Sequence, residues 1–331
     1  MTATSSSLSA VTDPRPERTH RLAGALAALL FLPLATFAFT AQGANGGSNQ
    51  PEQATSTSRQ DSSAKSKLPS VTIQAAREHA LRLKVDHFVT SVIVQPWGDA
   101  LYRWTKPVCP LVAGLPKAYG EFILERVSKA ANDAHAPLAG SVCKPNLYVV
   151  ATDHPERLLK KWWARDREMY NYRDVGIEAV EHFIQSRRPI RVWYNTAWRC
   201  SGGIPFGPGM LPIFDSAGVP RCRGAIDTRL TRASTGSNIT SAVVMVDLSQ
   251  MKKVTIGQMA DYVALVGLAD VRPDSDPGSA PSILGLFGHG THQQGLTRWD
   301  RALLYSLYDT TKWQKLEIPE LELTMVRRIA P

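Results

Sequence analysis

The chain has 331 residues, of which 44% are hydrophobic and 20% charged, a normal balance for one large domain or two ordinary ones. Lysine and arginine number 38 against 29 acidic residues, a formal charge of +9. One long apolar run is present and no internal repeat is visible, which excludes coiled coil, collagen and multi-span membrane protein.

Residues 1–41 read as an address. Arg15, Arg18, His20 and Arg21 precede an uncharged stretch, 22–39, broken only by Pro33. A basic flank before an apolar run marks a secretory signal, and a spanning helix needs about 20 apolar residues. Both a cleaved signal and a retained N-terminal anchor therefore stay open. Thr36-Phe37-Ala38 and Ala41-Gln42-Gly43 offer small-residue cleavage points. In either case the basic flank stays cytoplasmic and the rest is exported. The expected location is the periplasm or cell envelope of a diderm bacterium, with 22–39 holding the inner membrane if it is kept. Residues 42–70 are rich in Gly, Ser, Gln, Asn, Thr and Lys, and such a stretch buries too little surface to fold, so it reads as a tether.

The expected fold class is α+β, with an N-terminal lobe at 71–195, a Gly/Pro-rich loop at 196–222 and a C-terminal lobe at 223–331. In chain order, 88–94 is a β-branched run expected as a strand, and 102–104 starts another. Residues 119–134 carry Phe122, Ile123, Val127 and Ala130 at helical spacing. A short strand is expected at 146–151. A helix then opens at Asp153-His154-Pro155-Glu156 and runs to about Tyr170. Helix at 176–185 and strand at 190–194 follow. Beyond the loop, strands are expected at 225–230 and 239–246, with helices at 255–268, 297–308 and 320–328.

Cys109, Cys143, Cys200 and Cys222 all lie in the exported part, and an even count in an oxidising compartment implies two disulfides. Three pairings exist. Sequential pairing, Cys109–Cys143 and Cys200–Cys222, is favoured because each bond closes a local loop. A thiolate zinc site is excluded because no two cysteines stand at C-x₂-C spacing.

Gly288-His289-Gly290-Thr291-His292 resembles the catalytic-histidine motif of subtilisin-like serine proteases. That chemistry needs a serine nucleophile and an aspartate that orients the histidine. In that family the serine motif follows the histidine, and no such segment follows His292, so the match reads as coincidence.

A second segment runs Ala260-Asp261-Tyr262-Val263-Ala264-Leu265-Val266-Gly267-Leu268-Ala269-Asp270. Its spacing resembles the zinc helix of metzincin-type metalloproteases, H-E-x-x-H-x-x-G-x-x-H/D. The resemblance puts Asp261 at the general base, Gly267 at the turn glycine and Asp270 at the third ligand. Ala260 and Ala264 stand where both helical histidines would be, and a methyl group coordinates nothing. Met259, Val263, Val266 and Leu268 also fit a plain core helix. With Pro281-Ser282-Ile283-Leu284, Leu296-Thr297-Arg298-Trp299-Asp300 and Leu307-Tyr308-Asp309, residues 239–310 look like uncharacterised secreted bacterial families with a zincin-like C-terminal half, some with degenerate metal motifs. The resemblance implies a zincin-like C-terminal lobe without zinc catalysis.

Lys160, Lys161, Arg165 and Arg167 beside Trp162 and Trp163 are candidates for docking on an anionic lipid or polymer surface. Helical spacing favours instead a core helix with a solvated basic face. The leading expectation is a non-catalytic module without cofactor, binding an envelope protein or peptide, with no specific nucleic acid. The alternative is a metal-dependent hydrolase rebuilt from Asp261, Asp270, His289 and His292.

Overall fold

In a computed structural model that describes residues 68–94, 101–171, 175–200, 213–214, 220–221, 235–288, 292–310 and 317–330, the chain opens with helix α1 (Leu68–Val92). This corrects the strand expected at 88–94. Val85, Phe88, Val89 and Val92 are buried at helical i, i+3, i+4, i+7 spacing while Asp86, His87 and Thr90 face solvent. That face outweighs the β-preference of the valines. Phe88 packs edge-on against Trp299 with ring centroids 5.4 Å apart. Strand character is confined to Ile93, which bridges Val271 in antiparallel fashion.

The main sheet is built from β1 (Tyr102–Trp104), β2 (Pro110–Ala113), β3 (Leu147–Thr152), β4 (Ile190–Cys200) and β7 (Thr235–Asp247). β7 is its centre: β1 and β3 pair with it in parallel on one side and β4 antiparallel on the other. β2 completes the sheet beside β3. Ala242 to Val246 are all buried, the continuous apolar run that a strand covered on both faces requires. A separate small pair, β5 (Ile213–Phe214) and β6 (Pro220–Arg221), lies in the Gly/Pro-rich segment.

Helices cover both faces. Ala242, Val244 and Val246 join α1, α2 (Lys117–Asp133), α5 (Ile256–Leu268), α6 (Arg298–Asp309) and α7 (Glu317–Ile329) in the larger core. Val243 and Met245 point the other way, onto α3 (Pro155–Arg165) and α4 (Ile177–Gln185). The architecture is α+β with a mainly parallel sheet. Residues expected in separate lobes share this sheet and this core, and Ser62–Pro331 is one compact unit. β7 inserts between strands made earlier in the chain.

The helix boundaries follow from caps. Thr255 and Gln258 close a capping box at α5, and Thr297 and Asp300 close one at α6. At the C-terminal end of α5 three aromatic side chains serve the last carbonyls. Tyr194 Oη lies 2.6 Å from the Val266 oxygen, Trp104 Nε1 donates to Gly267 at 2.9 Å, and Tyr308 Oη donates to Leu268 at 2.6 Å. Helix ends leave such carbonyls without intrahelical partners, so no glycine cap is needed here. Gly267 is a close-packing residue, since a Cβ there would lie 3.0 Å from Leu147 Cδ2.

The expected Cys109–Cys143 disulfide is present, with its Cα atoms 6.0 Å apart. Cys222 lies outside the described residues, as do the apolar stretch 22–39, most of the tether and the strand expected at 225–230. Among the described residues no helix is long and apolar enough to cross a membrane.

Candidate functional site

Among the described residues, those singled out as a metal site do not converge. Asp261 is buried on α5, where its Oδ2 accepts the Leu296 N–H at 2.9 Å and its Oδ1 lies 3.6 Å from Arg126 Nε. A Cβ on residue 295 would approach Asp261 Oδ2 to 2.4 Å, so Gly295 is what lets that chain close over the carboxylate. Ala260 and Ala264 are fully buried in the core. Asp270 follows the helix in a different environment: its carbonyl accepts the Val94 N–H, and burial pushes its carboxyl up to about 7. His292 is exposed, and His289 lies outside the described residues. Among the described residues no three His, Cys, Asp or Glu side chains are grouped to hold a metal.

Lys160, Lys161, Arg165 and Arg167 line the outer face of α3 and its end, all exposed. Lys160 pairs with Glu156 at 2.6 Å and Arg167 stacks over Trp163 at 5.0 Å. Leu159 is buried and Trp162 and Trp163 are half-buried against the smaller core.

A cleft emerges elsewhere, along β4. The phase of that strand is fixed by two bonds. Ala242 N–H donates to Asn146 and so faces β3, whereas Asp247 N–H donates to Pro189 and so faces β4. In an antiparallel pair the residues that bond inward alternate with residues whose N–H and C=O point away. Arg191 and Trp193, opposite Met245 and Val243, therefore face β7. Ile190, Val192 and Tyr194 turn their main-chain groups to the other side, where no strand pairs with them among the described residues.

That edge opens into a cavity of about 550 Å³. Its floor is β4 from Ile190 to Tyr194, and its walls are Phe183 of α4, Tyr262 and Val266 of α5, and residues 271–275. The size lies within the range of small-ligand and peptide sites, roughly 300–1,000 Å³. A second cavity of about 800 Å³ continues it, and Arg188, Ile190, Tyr262 and Ser275 line both. Burial pushes the Tyr262 hydroxyl up to about 12, so it is a neutral donor at physiological pH.

Arg191 is buried on the α4 side and donates to the carbonyls of Phe183, Ile184 and Ser186, capping α4, while its Nε has no partner among the described residues. What this arrangement can do is hold an extended main chain beside β4. Sequence reading missed it. Ile190, Val192 and Tyr194 alternate with Arg191 and Trp193 as any strand does, and nothing in that alternation tells which edge stays open. No family model matches the chain, and no curated protein or solved structure matches it.

Proposed function

We propose that the chain is an exported envelope module that binds an extended peptide segment of another envelope protein along β4. Its zincin-like part is non-catalytic on this reading. The observation that carries it is the open edge of β4 facing the cleft. There the N–H and C=O groups of Ile190, Val192 and Tyr194 pair with no strand among the described residues and can take a guest strand. Loss of catalysis is supported by Ala260 and Ala264 at the positions the resemblance gives to imidazoles, and by Asp261 already engaged with Leu296 and Arg126. Export is supported by the basic-then-apolar N-terminus and by the Cys109–Cys143 disulfide.

The test is proline at position 192. Val192→Pro removes an N–H that points away from β7, so the sheet keeps its own bonds while a guest strand loses one. Panning a random heptapeptide library on the full chain should enrich peptides whose binding falls sharply in Val192→Pro. Peptides that bind both proteins equally, or no enrichment at all, overturn the reading. The rebuilt hydrolase at Asp261, Asp270, His289 and His292 requires instead a stoichiometric zinc, measured by elemental mass spectrometry and lost in a His289→Ala/His292→Ala variant.

A further inference from the structure

Resting on strand addition at β4, we infer that the cleft selects a peptide with an acidic side chain, seated against Arg188 where the two cavities meet. The charges around the first cavity are unequal. Among the described residues Arg188, Arg191 and Arg272 line it against the single carboxylate of Asp274, and Arg188 shares the lining of the second cavity with the carboxylate of Asp276. Guanidinium groups stay protonated throughout the physiological range.

None of the three arginines forms an ion pair with a carboxylate among the described residues. Arg191 donates through Nη1 to carbonyls of α4, and Arg272 donates through Nε to the carbonyl of Ile93 at 3.0 Å. Arg188 is exposed and lines both cavities, beside Tyr262. It is thus the one of the three whose charge faces the path of a guest chain running from one cavity into the other. A carboxylate there gains charge-assisted hydrogen bonds that glutamine cannot match.

The rest of the cleft fixes the form of the guest. Ile190 to Tyr194 span roughly 13 Å of strand, so about five guest residues lie against them. Guest side chains alternate between the α4 wall, with Phe183, and the α5 wall, with Tyr262 and Val266. A strand with one acidic residue opposite Arg188 and apolar residues along the walls fits both the walls and the charge.

The experiment is fluorescence anisotropy on the full chain with three labelled heptapeptides. One carries a single glutamate among apolar residues, one carries glutamine in its place, and one is the glutamate peptide N-methylated at every amide. The glutamate peptide should bind on the order of tenfold more tightly than the glutamine peptide, and Arg188→Glu should abolish that preference. N-methylation should abolish binding. Equal binding of the glutamate and glutamine peptides, with both lost on N-methylation, overturns acid selection and leaves strand addition standing. Binding that survives N-methylation overturns strand addition itself. Failure of every peptide to bind overturns both.

Discussion

The Tyr194 hydroxyl lies 2.6 Å from the Val266 carbonyl oxygen and 2.8 Å from that of Ala269, and it also accepts the Val271 N–H at 3.3 Å. One side chain of β4 therefore holds both the end of α5 and the start of the far wall of the cleft. Tyr194→Phe leaves these buried groups without a partner, which costs about 1–3 kcal/mol. Urea unfolding should show that loss, and peptide binding at β4 should weaken with it. A variant as stable as wild type would remove Tyr194 as the clamp.

The Asp270 carboxyl gives stability a pH dependence. Its folded value of about 7 stands above the unfolded 3.8, so the folded chain holds a proton that the unfolded chain releases. The contribution is complete below the unfolded value, declines as pH rises, and is gone above about 7. Asp270→Asn, which keeps a neutral side chain, should raise the melting temperature by several degrees at pH 8 and change it little near pH 4. Equal effects at the two pH values would sink the assignment.

Removing the disulfide should act through the unfolded chain. Cys109 and Cys143 are 34 residues apart, and opening a loop of that order costs about 2–4 kcal/mol. The Cys109→Ser/Cys143→Ser variant should unfold at lower urea. Its native state should keep the pairing of β2 with β3, because the Cys109 N–H is still held at 2.7 Å by the Asn146 side chain. Native-state hydrogen exchange reads both quantities.

Asp261→Ala separates the binding reading from the hydrolytic one. It strips the partner from the Leu296 N–H and from Arg126, so stability should fall by about 1–3 kcal/mol. Affinity for a β4-bound peptide should change little, since Asp261 does not line the cleft. A hydrolytic activity present in wild type and absent from a folded Asp261→Ala variant would reverse the conclusion.

Sequence made some elements legible for identifiable reasons. Thr255 and Thr297 stand three residues before partners that complete capping boxes, and the apolar spacing behind them is helical. Leu147 to Thr152 alternates in burial as a strand should. The β-branched run at 88–94 reads as a strand because β-preference competes with helical spacing, and only the packing partner Trp299 settles which wins. The metzincin-like spacing at Asp261 recorded positions along a helix. It carried no information that this face would be closed by α2 and residues 295–296. The cleft was invisible because strand order, and with it the open edge of β4, depends on where β7 inserts.

That insertion also dictates when the protein can exist. Among the described residues β1 and β4 have β7 as their sheet neighbour and β3 lies between β2 and β7, and β7 is synthesised after all of them. A nascent chain that has reached residue 234 can pair β2 with β3 but leaves β1 and β4 without their partner strand. Pairing across such distances is slow, and exposed flanks invite aggregation. The keystone strand arrives late, and the sheet can be completed only once the chain has reached residue 247.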